Sequence, residues 1–245
     1  MCQILIIFAL MKRIVSLFCA LFLLAAASFR MQAQEQDYIQ VDWYPLLTDS
    51  VGWNITSGGL AFGFVDAVAS DVDVQAGKSF EISWLNVVGA KYNTGHGQRI
   101  SVGVGLDWKN YKLSGSQHFA AEGNGISVQP YPEGASKKSS RLKVFALELP
   151  VIVRQRFGRY IDVFAGEITN FNVHSSLLTT YSTANGKVKE STSQNLPTSK
   201  VTFDVIAGVN YRKAGIYVRY SPCRVIKNGF GPKFNTLSWG IVLGL

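Results

Sequence analysis

The chain has 245 residues, of which 16% are charged, 12% aromatic and 23 glycine, with a formal net charge of +8. At about 150 residues per domain one large domain is the simplest organisation, and this composition excludes both a disordered chain and a coiled coil. The basic excess forms no Lys/Arg stripe, which argues against nucleic acid as a partner.

Residues 1–33 read as a secretory signal peptide. Lys12-Arg13 is its basic region, Ile14 to Ala27 an uncharged apolar run, and Ala25-Ala26-Ala27 or Met31-Gln32-Ala33 supplies small residues for cleavage. The run falls short of the about 20 apolar residues of a membrane helix. Met1 to Leu10 fits poorly ahead of it, so Met11 is the more natural start, and Leu17-Phe18 before Cys19 lack the small residues of a lipoprotein signal. Cleavage removes Lys12, Arg13 and Arg30 and no acid, taking the charge from +8 to +5. Cys2 and Cys19 leave with the signal. Cys223 stays as an inert thiol with no partner for an internal disulfide. Residues 34–56, with Trp43, Tyr44 and Trp53, read as a periplasmic leader that packs in the lumen or lies at the interface.

From residue 57 to 245 apolar residues recur at every second position, the period of a strand. The segments are 57–67, 78–93, 100–109, 141–157, 159–174, 201–212, 215–225 and 237–245. Alternation is cleanest in the third, sixth and eighth, and weakens in the second and fifth, where a bulge is expected. Each supplies about nine to eleven residues, enough for a tilted strand to cross a bilayer. Short turns near 93–97, 157–159 and 212–215 alternate with longer connections at 68–77, 116–140, 175–200 and 226–233. Short periplasmic turns alternating with long external loops characterise an outer-membrane barrel. The reading is an all-β, eight-stranded antiparallel up-and-down transmembrane β-barrel, or ten strands if 34–56 or 116–140 adds a hairpin.

Lipid offers no hydrogen bonds, so a spanning sheet closes on itself and turns its polar side chains inward. The inward set is Glu81, Lys91, Asp107, Lys109, Glu148, Arg154, Arg156, Asp204, Arg212 and Arg219. Of these Glu148, Arg154, Asp204, Arg212 and Arg219 are expected to form a lumen charge cluster. Eight strands leave room for side chains and not for an open pore, so the interior is expected to be filled and polar. Trp108, Tyr111, Tyr160, Tyr211, Tyr217 and Tyr220 suit interfacial girdles. Asn185-Gly186 is a hairpin signal that would extend strands five and six beyond the membrane, whereas 116–140, rich in Gly, Ser and Pro, reads as a mobile external loop.

Leu147-Glu148-Leu149-Pro150-Val151-Ile152-Val153-Arg154, the turn at Gly158 and Val163-Phe164-Ala165-Gly166 together resemble the PorT-like outer-membrane β-barrel domain family. Pro150 cannot donate to a ladder and so predicts a bulge or kink. The resemblance extends over roughly 57–245. Leu245 departs from the aromatic residue that often ends such barrels. The family implies an integral outer-membrane barrel, with some members linked to protein secretion, and it transfers no functional residue.

Catalysis would need a nucleophile, base and orienting acid in mutual reach. His118 and His174 fall at the outer rim near Ser114, Ser116, Ser175 and Ser176, whereas His96 falls in a periplasmic turn; a solvated-loop reading outweighs a catalytic one. No His, Cys or carboxylate group has metal-ligand spacing, Gly103-Val104-Gly105 reads as small lumen-facing residues, and no cofactor is expected. The function expected is non-enzymatic: a structural or interaction role in the outer membrane after signal cleavage, among outer-membrane lipids and envelope or secretion-system proteins, as a component of a secretion or surface assembly. A small-solute or hydrophobic-ligand transporter and a lipid-modifying enzyme with a site at the outer rim are the alternatives.

Overall fold

The computed structural model describes residues 51–184, 186–193 and 196–245. The expected signal peptide, residues 34–50 of the leader and Asn185 of the Asn-Gly turn lie outside the described residues. Eleven strands follow in order: β1 (Gly52–Val68), β2 (Phe80–Asn93), β3 (Gln98–Lys112), β4 (Gln117–Glu122), β5 (Gly125–Pro130), β6 (Ser136–Phe157), β7 (Ile161–Thr183), β8 (Gly186–Thr192), β9 (Val201–Tyr211), β10 (Ala214–Ser221) and β11 (Asn235–Leu243).

Eight of them form the wall, in the order β1-β2-β3-β6-β7-β9-β10-β11, every pair antiparallel and β11 returning to β1. The seam runs from Leu60↔Leu243 to Val68↔Asn235, so the wall has no free edge. Turns β2–β3, β6–β7 and β9–β10 are short and lie at one end, with the start of β1 and the end of β11. The four long connections lie at the other.

Outward positions are apolar and exposed, among them Phe62 and Phe64 on β1, Ile100 to Trp108 on β3, Leu147 to Val153 on β6 and Val201 to Val209 on β9. On β3 this run has about the nine to eleven residues that a tilted crossing needs. A closed ring that shows lipid-compatible side chains outward and buries its charges is stable in a bilayer. The chain is a membrane-spanning barrel.

The structure revises several strand-level expectations. β1 starts at Gly52, inside the expected leader, and its register shifts between Thr56 and Gly58. The shift reverses which residues face out, from Trp53 and Ile55 to Leu60, Phe62 and Phe64, so the alternation starts cleanly only at 57. The irregularities expected in segments two and five exist, between Trp84 and Val88 in β2 and at Val173 in β7. Pro150 makes no bulge. The β3–β6 register is unshifted across it, and the ladder merely lapses between Val102↔Val151 and Gly105↔Glu148, because proline has no N–H to give.

Residues 116–140 are no mobile loop. β4 and β5 form a separate two-stranded sheet, and β6 already begins at Ser136. This hairpin stands above the wall, so the ring holds eight strands and not ten. The Asn-Gly reading holds in outline: β7 and β8 pair up to Thr183↔Gly186.

Inside, the barrel as a whole is layered: apolar side chains near each end enclose a polar layer between them. Ala61, Leu85, Ile152, Phe164, Ile168, Ile206, Tyr217 and Val242 pack near the short-turn end. Val65, Tyr111, Phe119, Ile126, Leu142, Leu177, Ile226 and Phe234 pack near the long-loop end. The interior, expected to be filled and polar, is filled, with its polar layer closed above and below by apolar ones. Tyr111 and Tyr217, at 2% and 4% exposure, belong to these layers and not to the girdles, whereas Trp108, Tyr160 and Tyr211 are exposed on the outer surface.

A row of residues across the seam explains how eight strands accommodate bulky residues. Tyr217, Gly240, Gly63 and Glu81 are successive register partners on β10, β11, β1 and β2. The Tyr217 side chain reaches across the seam over Gly63, and its hydroxyl donates to Glu81 Oε1 at 2.6 Å. A Cβ at Gly63 would collide with that hydroxyl and with the Trp239 carbonyl. Gly63→Val is therefore expected to prevent seam closure: the heat-dependent shift of the folded barrel on a gel should be lost, and retention of the shift would refute this role.

Candidate functional site

The polar layer brings together residues far apart in sequence. Arg219 on β10 is its hub. Nε donates to Asp204 Oδ2 at 2.7 Å and Nη2 lies 2.6 Å from the same oxygen. Nη2 also lies 2.7 Å from Glu148 Oε1 and 3.4 Å from Asp107 Oδ2, and donates to Asn170 Oδ1 at 2.9 Å. Lys109 Nζ is 2.8 Å from Asp204 Oδ2 and 3.3 Å from Asp107 Oδ2. Ser83 donates to Glu148 at 2.6 Å and Ser238 to Glu81 at 2.8 Å. Strand alternation places these groups inward, and the register brings them to one depth.

Of the expected cluster, Glu148, Asp204 and Arg219 meet here. Arg154 does not. The Ile152 layer separates it from Glu148, and with Lys91 and Arg99 it lines a cavity of about 190 Å³ at the short-turn mouth. Arg212 is not in the lumen at all. It sits in the β9–β10 turn at φ 60°, exposed, with its guanidinium 4.7 Å from the Tyr160 ring centre. Arg156 is at the same end, paired with Asp162 at 3.4 Å. Glu81, Asp107 and Lys109, assigned inward but not to the cluster, complete the network.

Four carboxyl groups face two cations in this closed layer, so each cation holds more than one acid. Taking one partner out of a buried charge network leaves uncompensated charge and costs about 3–5 kcal/mol.

At the long-loop end the β4–β5 hairpin is clamped to the wall. The Phe119 N–H donates to Ser140 Oγ at 2.9 Å, and Thr179 Oγ1 donates to the Phe119 carbonyl at 3.0 Å, all buried. The loop between β10 and β11 joins the same platform, with the Ile126 N–H donating to the Phe230 carbonyl at 2.7 Å. His118 is buried against Tyr131, with ring centres 4.8 Å apart, and Tyr181 stands 5.7 Å from Tyr131. Burial pushes the Tyr131 phenol pKa up. His174 is exposed, and Ser175 accepts from Thr198 at 3.1 Å. Among the described residues no serine is a hydrogen-bond partner of either histidine, and no His, Cys or carboxylate group could hold a metal ion. Cys223 Sγ accepts from the Phe203 N–H at 3.4 Å.

One outward residue escaped the sequence reading. Glu167 on β7 is exposed midway between Ile161 and Val173, flanked in register by Val151 and Val205. Its polar neighbour is Thr169, whose hydroxyl donates to it at 3.3 Å. Its parity with Val163 and Ala165 was the available signal.

These features define an integral eight-stranded barrel with a closed interior and a structured long-loop end. Among solved structures, Neisserial surface protein A is similar over 79% of this chain and 97% of its own, at 12% identity and a TM-score of 0.34. Ail, the attachment invasion locus protein of Yersinia pestis, is similar over 79% of this chain and 98% of its own, at 9% identity and a TM-score of 0.35. No family model and no curated protein sequence matches the chain.

Arg219→Met should destabilise the barrel by about 3–5 kcal/mol in urea unfolding from lipid vesicles; an unchanged midpoint would show that the network holds nothing together. Glu167→Leu should act oppositely, gaining on the order of 1 kcal/mol by removing a carboxyl from the lipid face, and a loss in the same assay would contradict its exposure to lipid.

Proposed function

We propose that this protein is an outer-membrane barrel, exported by cleavage of residues 1–33, whose role is non-enzymatic: it holds an ordered platform at the cell surface for contact with an envelope or secretion-system partner. The observation that carries this reading is the long-loop end itself. Two of its four connections carry hydrogen-bonded hairpins, β4–β5 and β7–β8, the first anchored to the wall through Ser140 and Thr179, as a fixed recognition surface requires and a flexible lid does not. Two apolar layers lie across the lumen, which speaks against a solute path. The PorT-like resemblance at 147–154 and 163–166 supports a secretion or surface assembly as the setting, and outer-membrane lipids are the surrounding partners.

Photo-crosslinkers at the exposed positions 133 and 187 test this in the native host, with planar-bilayer recordings of the purified barrel as the second arm. The expected outcome is one reproducible crosslinked envelope protein from both positions and no stable conductance. Ohmic conductance would replace this reading with a transporter, and a modified lipid product would replace it with an enzyme.

A further inference from the structure

Above the apolar belt, β3 and β6 carry an ordered ladder. Going outward from mid-wall, the register pairs are Leu106↔Leu147, Trp108↔Phe145, Asn110↔Lys143 and Lys112↔Arg141. The Trp108 and Phe145 rings lie 4.7 Å apart, and such aromatic residues mark the membrane–water interface. The next two rungs hold three basic residues, Lys143, Lys112 and Arg141, with the buried Asn110 as the fourth member. Lys112 and Arg141 are direct cross-strand neighbours, and Lys78, which follows from the β2 side, and Arg141 both lie close enough to repel the Lys112 charge. Inward positions alternate with these, as Tyr111, Leu142 and Val144 are buried in the core, so the basic side chains point sideways, on the lipid side of the wall.

Like charges directly opposite one another on a sheet are destabilising. Among the described residues Lys78, Lys112, Arg141 and Lys143 make no salt bridge. The carboxylate brought nearest to Lys112 by the backbone is Asp73, next to the Val74↔Leu113 bridge, and it makes no salt bridge with any of the four. The repulsion needs an anion, and the depth and direction of the side chains choose which kind. A soluble anion would be met by residues pointing up into the platform, whereas these lie one rung above the interfacial aromatics and face the lipid. Strands stand about 4.8 Å apart, so cations on β3 and β6 bracket a single phosphate, which arginine grips with a fork and lysine as a point charge.

We propose that Lys112, Arg141 and Lys143, flanked by Lys78, form a binding site for the phosphates of an outer-leaflet lipid headgroup. This rests on the outer-membrane orientation given above, with the long-loop end outside. The site would fix a phosphorylated lipid against the β3–β6 face and neutralise the repulsion between the rungs.

Native mass spectrometry of the full-length mature barrel, titrated with bisphosphorylated lipid A and with its dephosphorylated form, tests this directly. The wild type should prefer the phosphorylated lipid, and the triple variant K112Q/R141Q/K143Q should bind it roughly 10- to 100-fold more weakly. The charge-keeping variant K112R/K143R should bind as the wild type does, and heat-modifiability would confirm that all three proteins are folded. Equal binding of the two lipids by the wild type, or equal binding of the phosphorylated lipid by the wild type and the triple variant, would overturn the site. Fractionation of the native host separates the two ideas. A barrel found outside the outer membrane that still prefers phosphate would sink the orientation and leave the site, whereas an outer-membrane barrel with no preference would sink the site alone.

Discussion

The hydrogen bonds between β1 and β11 are the constraint on which the rest of this molecule depends. A bilayer supplies no partners for a free strand edge, so the first and last strands must find each other across the whole length of the described chain. The seam is built for close approach, with Gly63 opposite Gly240, and the Tyr217 side chain fills the space that Gly63 leaves. Sheet closure and interior packing are therefore one event: the phenol that covers Gly63 also hydrogen-bonds Glu81 on the far side of the seam. The same closure turns one set of side chains to lipid and the other to a closed lumen, where charges survive only in company.

That company is arranged by depth. Arg219, Lys109, Asp204, Glu148 and Asp107 come from five different places on four strands, and they meet between the two apolar layers of the lumen. The low dielectric that makes an unpaired charge costly also makes the pairs strong. Deleting one member is therefore felt by the others. The apolar layer at the long-loop end contains Phe119 and Ile126 of the hairpin, so the surface platform and the lumen share a core. A residue at the top of the molecule is in this way tied to wall strands through packing and through the Ser140–Thr179 clamp.

Much of the wall was legible because its alternation is strict. Parity alone assigns Asp107 and Lys109 inward, and followed one step further it places Tyr111 inward as well; reading Tyr111 and Tyr217 as girdle residues put aromatic identity ahead of phase. Axial depth is different. Arg154 shares its phase with Glu148, yet one layer of Ile152 keeps them apart, and the depth at which inward residues meet is fixed by register between strands, which no single segment encodes. Arg212 has inward parity, but the strand ends at Tyr211 and the turn takes it out to the Tyr160 ring. The irregularity at Ser57 hid five residues of β1 by reversing phase. In the stretch 116–140, glycine, serine and proline content masked the hairpin signal Asn124-Gly125, of the same kind as Asn185-Gly186, which the reading did use. Register and bulges decide these outcomes, and both arise from contacts between distant segments.

The double apolar closure of the lumen has a consequence for the cell that carries this barrel. Each open pore added to an envelope lowers its resistance to noxious solutes, which limits how many copies can be tolerated. The interior of this wall is filled by Phe164, Ile206, Leu142 and Phe234, which leaves no wide path for such solutes. On the role proposed above, room in the membrane and demand for the platform would limit the number of copies, and permeability would place no ceiling on it.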